Sequence, residues 1–335
     1  MKKIFYILSI IALISIIEGC SPANEYYILG EKDYQSGNFN TAIDKFRLAI
    51  NKSPNDFKLY FILGKAYGSL AKHKQAIEAY SKAISLNDSN ALSYLNRGIE
   101  YINLDEYIKA GSDFNKAIEL DSSNYLSYFS RAYIESKNQD FKSALKDYNK
   151  SINLKPDNEE AYVNRGNVKG ELQDYPGAID DYSQAIELNP NDKSAYLIRG
   201  FDLAVLGNFD YAIEDFTKVL QIDPANKDAY YFRGDAYRVI NKPNKAIDDF
   251  SKIISLYPDE AKAYFKRGIT NIEIGKKQEA CPDFKQAGNM GYFDAYAAIE
   301  KYCKETAKSK LHKPLGKKHI KSQAKPTTNM GKIKK

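Results

Sequence analysis

Three histidines, three cysteines and 27 tyrosines are the residues whose chemistry stands out in this chain of 335 residues, which has no tryptophan. His312 and His319 sit in a Lys-rich C-terminal stretch, so His73 is the one histidine of the body. A His-based metal centre or a nucleophile–His–carboxylate triad therefore has almost no material, and no run has metal-ligand spacing. No Gly-rich phosphate loop and no nucleophile elbow is present either. The chemistry points away from an enzyme, and no cofactor or metal is implied. Cys20, Cys281 and Cys303 are too few and too far apart for a disulfide-dense scaffold. Charge is segregated. The formal total is +6, yet residues 304–335 hold eleven Lys against Glu305 alone, which leaves residues 20–303 at −5. A mildly acidic body argues against a nucleic-acid-binding surface.

The elements that carry these residues follow from a period of 34. Tyr26, Tyr60, Tyr94, Tyr128, Tyr162, Tyr196, Tyr230 and Tyr264 are spaced by that step. Four places after each stands Gly30, Gly64, Gly98, Ala132, Gly166, Gly200, Gly234 or Gly268. Sixteen after each Tyr comes an Ala, from Ala42 to Ala280, and four further on an aromatic, from Phe46 to Phe284. Pro54, Pro156, Pro190, Pro224 and Pro258 close several copies, and Gly37, Gly207 and Gly275 mark turns inside them. This pattern resembles the tetratricopeptide repeat (TPR), with Tyr where the family usually has Trp. The resemblance implies an all-α superhelical solenoid of eight helix-turn-helix repeats over residues 20–290. Small residues would let helices A and B of each repeat approach, and the aromatics would fill the layer around them. The tyrosine excess is then mostly scaffold.

Two features vary along the array. In repeats three to eight the residue before the helix A small residue is Arg and a helix B residue is Asp: Arg97 with Asp113, Arg131 with Asp147, Arg165 with Asp181, Arg199 with Asp215, Arg233 with Asp249, and Arg267 with Asp283. Repeats one and two have Leu29 with Lys45 and Leu63 with Ala79. Residues that come and go together suggest structural ion pairs, within a repeat or across to its neighbour, because burying one member alone is costly. A ligand-binding Arg ladder is the rival reading. The second feature is the concave face, which the family lines with helix A. By that resemblance the partner-binding groove includes Leu92, Leu95, Ile99, Ile102, Phe129, Tyr133, Leu197, Phe201, Tyr231, Arg238 and Phe265. Such a groove suits a protein or peptide ligand; tight packing that hides these residues is the alternative.

The ends have their own signals. Met1-Lys2-Lys3, an apolar or small run from Ile4 to Ile17, and Glu18-Gly19-Cys20 form the pattern of an export signal. Ile17-Glu18-Gly19-Cys20 resembles the lipobox of bacterial lipoproteins, with Glu18 departing from the usual small or apolar residue. That resemblance makes residues 1–19 a signal peptide and Cys20 an acylated (palmitate-bearing) residue held in a lipid bilayer. Ser21 after it favours the outer membrane, facing the periplasm. An ordinary signal peptide or an uncleaved anchor are the alternatives. At the other end, residues 291–304 resemble the helix that caps many TPR arrays. With Cys20 acylated, Cys281 and Cys303 remain, near ends that meet in an antiparallel helix pair, and exported bacterial TPR arrays resembling this one close with such a disulfide. Two reduced, buried thiols are the alternative. Residues 305–335 should be a disordered basic tail, able to hold anionic lipid or lipopolysaccharide, or to do no more than solubilise. The reading that unites these features is a non-enzymatic, lipid-anchored TPR adaptor in envelope or outer-membrane assembly. A periplasmic chaperone or secretion and pilus assembly factor for unfolded or pilin-like clients is the second reading. No nucleic-acid partner is expected.

Overall fold

The computed structural model describes residues 22–303. Cys20, the expected signal peptide of residues 1–19 and the expected tail of residues 305–335 lie outside the described residues. Among those described, the chain forms α1 (Pro22–Gln35), α2 (Phe39–Lys52), α3 (Phe57–Ser69), α4 (His73–Leu86), α5 (Ala91–Asn103), α6 (Tyr107–Leu120), α7 (Tyr125–Lys137), α8 (Phe141–Leu154), α9 (Glu159–Glu171), α10 (Tyr175–Leu188), α11 (Lys193–Val205), α12 (Phe209–Ile222), α13 (Lys227–Val239), α14 (Pro243–Leu256), α15 (Ala261–Glu273), α16 (Lys277–Asn289) and α17 (Phe293–Tyr302). None of these helices is long and apolar enough to cross a membrane.

Local chemistry sets the boundaries. Several odd-numbered helices start behind an Asp or Asn whose side chain accepts from the first-turn amides: Asp56 before α3, Asn90 before α5, Asn124 before α7, Asp192 before α11 and Asn226 before α13. Each odd helix ends in a left-handed residue that turns the chain into its even partner. These residues are Gly37, Ala71, Asp105, Gln139, Gln173, Gly207, Asn241 and Gly275, again one per 34 residues, with φ between 54° and 81°. Glycine meets that demand without strain, and only three of the eight positions have it.

Packing follows the same period. The even-helix aromatics Phe46, Tyr80, Phe114, Tyr148, Tyr182, Phe216, Phe250 and Phe284 are all buried. A Cβ added at Gly98 would lie 2.5 Å from the Phe114 ring, and one at Gly234 2.8 Å from Phe250. The small residue is thus the floor on which the aromatic of the partner helix lies. In the fourth hairpin Ala132 takes this place.

Two compact units divide between Pro156 and Asp157. The first holds α1–α8 as four hairpins, each packed on the next. The second holds α9–α16 as four more, closed by α17 against α16 and α15. The chain is an all-α solenoid of paired helices, eight repeats and a final helix.

Candidate protein-binding surface

The charged residues of repeats three to eight form a fixed constellation. Arg97 donates from Nε and Nη2 to the two carboxylate oxygens of Asp113, at 2.8 and 2.7 Å. Arg199 does the same to Asp215 at 2.8 and 2.7 Å, Arg233 to Asp249 at 2.9 and 2.6 Å, and Arg267 to Asp283 at 2.9 and 2.7 Å. Arg131 and Asp147, and Arg165 and Asp181, are joined in the same two-pronged way. Every pair lies within one hairpin, with the Asp buried and the Arg half-buried. The planar fork matches the carboxylate, so both charges are satisfied where water is largely excluded.

A third partner was missed in the sequence. The free Nη1 of Arg97 reaches Ser81 Oγ at 3.0 Å, that of Arg199 reaches Ser183 at 2.9 Å, and that of Arg267 reaches Ser251 at 3.0 Å. Arg131 uses Asn115 and Arg233 uses Thr217 in the same way. Each acceptor lies on the even helix of the preceding repeat, sixteen residues before its Arg. A small polar side chain at that offset was the available signal. Each guanidinium also sits over the signature Tyr three residues before it, as Arg199 over Tyr196 at 5.6 Å and Arg267 over Tyr264 at 5.8 Å. The repeated tyrosines are partners of this network.

The eleven groove residues separate by burial. In the first unit Leu95, Ile99, Ile102, Phe129 and Tyr133 are buried, and in the second Tyr231 is. They are packing residues: Phe129 meets Tyr148 of its own hairpin with ring centroids 5.8 Å apart, and Tyr231 meets Phe250 at 6.3 Å. Leu92 is 44% exposed. Leu197, Phe201 and Phe265 are half-buried, with Phe201 against Phe232 at 5.5 Å and Phe265 against Tyr292 at 5.0 Å. Arg238 is tied up by Glu273, to which Nε donates at 3.0 Å, and by Asp235 nearby. What a ligand can touch is therefore narrower than the helix A pattern implied. Of the eleven, Leu92 in the first unit and the edges of Leu197, Phe201 and Phe265 in the second remain open to solvent.

His73, at the start of α4, lies with Nδ1 2.7 Å from Oε2 of Glu100, a carboxylate with no exposed surface. This is a part-buried structural pair across two hairpins, with His73 partly open to solvent. Cys281 in α16 and Cys303 after α17 are bonded, with Cα atoms 5.8 Å apart. No group of three or more His, Cys, Asp or Glu among the described residues is arranged to hold a metal ion.

Segments 57–90, 91–124, 132–173, 159–192 and 199–261 each match the tetratricopeptide repeat. The chain belongs to the TPR family. TPR arrays are non-catalytic protein-interaction modules, and this one carries eight repeats of that type. Among solved structures, YrrB, described as a TPR protein with an unusual peptide-binding site, is 30% identical with a TM-score of 0.52, and the match covers 56% of this chain and 96% of YrrB. A TPR protein from Parabacteroides merdae is 23% identical with a TM-score of 0.52, over 74% of this chain and 98% of the other. The C-terminal part of a TPR protein from Cytophaga hutchinsonii is 18% identical with a TM-score of 0.60, over 72% and 98%. The last two share the fold alone. No curated protein matches.

Proposed function

We propose that this TPR array is a lipid-anchored adaptor of the bacterial cell envelope, acylated at Cys20 and engaging a peptide or helix of a partner protein along its odd-helix face. The observation that carries the binding reading is the set of apolar side chains left open on that face, Leu92 in the first unit and Leu197, Phe201 and Phe265 in the second. Aromatic and aliphatic anchors with a rigid backbone behind them suit an amphipathic segment. The relationship to YrrB, which has a peptide-binding site, supports it. The envelope reading rests on the basic start, the apolar run and Cys20, with an outer-membrane position following from Ser21. The Cys281–Cys303 bond suits an oxidising compartment. Each Arg of the ladder already holds its own carboxylate, so the ladder is scaffold rather than ligand site.

Crosslinking and capture from intact cells tests the reading, comparing the wild type with Leu92→Asp and Leu197→Asp variants. Loss of one specific partner, with helicity and melting unchanged, is the expected result. An unchanged partner set removes the groove from the function. Incorporation of a labelled fatty acid, lost in Cys20→Ala, tests the anchor separately.

A further inference from the structure

The first repeat departs from the others on the face that has no preceding repeat to cover it. In later repeats that face is consumed by stacking. Phe232, at the register of Ile28, packs on Phe201 and Phe216 of the repeat before it, with centroids 5.5 and 5.6 Å apart. The Arg at the register of Leu29 reaches back to a hydroxyl or amide of the preceding even helix. In α1 the same face carries Ile28, 53% exposed, and Leu29, 39% exposed. Leu48, 40% exposed, stands one turn along α2 from Lys45, where every later repeat has Lys or Gln. The end of a TPR stack is ordinarily polar, because nothing stacks on it. Here it is apolar, with Lys32, Lys45 and Lys52 beside those residues and Glu25, Asp33 and Asp44 each one helical turn from one of them.

The chain before α1 says what covers this face. Only Ser21 separates Cys20 from Pro22, where α1 begins, so an acyl anchor at Cys20 leaves about 7 Å of slack. Charge favours the same contact. Residues 22–156 hold 18 basic against 16 acidic side chains, while residues 157–303 hold 18 against 25, so an anionic surface attracts the first unit and repels the second. We infer that the open end of the first repeat, through Ile28, Leu29 and Leu48 with Lys32, Lys45 and Lys52 around them, seats on the lipid headgroup region of the anchoring bilayer. This rests on the acylation of Cys20 proposed above. The apolar side chains enter the interface and the lysines reach lipid phosphates, so the acyl chains do not act alone. The seat fixes which end of the array faces the membrane.

The full chain, acylated at Cys20 and reconstituted in vesicles of phosphatidylcholine and phosphatidylglycerol, provides the test. A fluorophore is placed on Lys32→Cys and, in a second protein, on the exposed Lys142→Cys of α8, with acyl-chain-brominated lipid as quencher. Quenching at position 32 about threefold or more above that at position 142 is expected, and it falls to the reference value when Ile28, Leu29 and Leu48 are changed to Glu. Equal quenching at the two sites, with the mass of the N-terminal peptide confirming acylation, overturns the seat and leaves the anchor intact. An unmodified Cys20 in that mass overturns the anchor and the seat with it. Crosslinking between two copies through position 32, without quenching, makes a second copy the occupant and also overturns the inference.

Discussion

At the residue scale the Arg–Asp–hydroxyl unit does two jobs. The Arg fork ties the two helices of one repeat, and its remaining nitrogen ties that repeat to the one before. Removing one charge strands the other in a water-poor place. Arg199→Ala or Asp215→Ala should each cost about 3 kcal/mol, while the double change costs clearly less than their sum. Chemical denaturation of the four proteins reads the coupling, and strict additivity would show the pair idle. Glu135 behaves differently. Its carboxyl is pushed up to about 7, by burial first and then by the neighbouring Asp147 carboxylate, with Arg131 acting against both. A raised carboxyl pKa means the folded state holds a proton that the unfolded chain has already released. Stability from this site is therefore fully present at low pH and is lost as pH rises toward 7. Glu135→Gln should raise the melting temperature at pH 8 and leave it nearly unchanged at pH 4.5; equal shifts at both would count against the assignment.

At the element scale, each hairpin is closed by one left-handed residue. Five of the eight are not glycine: Ala71, Asp105, Gln139, Gln173 and Asn241. Asn tolerates that conformation far better than Ala. Ala71→Gly should therefore stabilise by about 0.5–1 kcal/mol, and Asn241→Gly by less, in thermal or urea unfolding. The reverse order would mean the turn is held by side-chain contacts instead. The last helix depends on a different device. The Cys281–Cys303 bond closes a loop of sequence separation 22. Its removal frees about 3 kcal/mol of chain entropy in the opened state. Under reduction, amides of α17 should exchange with solvent about a hundredfold faster, while those of α1 to α8 do not change.

At the scale of the molecule, repeats within each unit contact their sequence neighbours and little else, so stability accumulates locally. Residues 157–303, with four repeats, a closing helix and the disulfide, should fold when expressed alone. Circular dichroism showing an unfolded chain would contradict this. The two functional proposals occupy different places. The odd-helix face offers a few open apolar anchors to a protein partner, and the open end of the first repeat offers apolar and basic groups to lipid. A groove variant should leave membrane seating intact, and an Ile28, Leu29, Leu48 variant should leave partner capture intact, because neither set of residues contributes to the other.

The 34-residue spacing determined the repeat number, and its resemblance to the TPR implied the helix pairs and the close approach at the small residues. It could do so because a solenoid core is built from contacts within a repeat and with the next, which a period records. Arg and Asp appearing together were legible for the same reason, and the small polar residue sixteen before each Arg carries the same periodic signal. Exposure was not legible. Leu95 and Leu92 lie three residues apart on one helix and both belong to the helix A pattern, yet one is core and the other open. Which of them a ligand can reach depends on how closely neighbouring hairpins stack, a tertiary quantity. The link from His73 to Glu100 likewise needed the structure, because it occurs once and no period announces it.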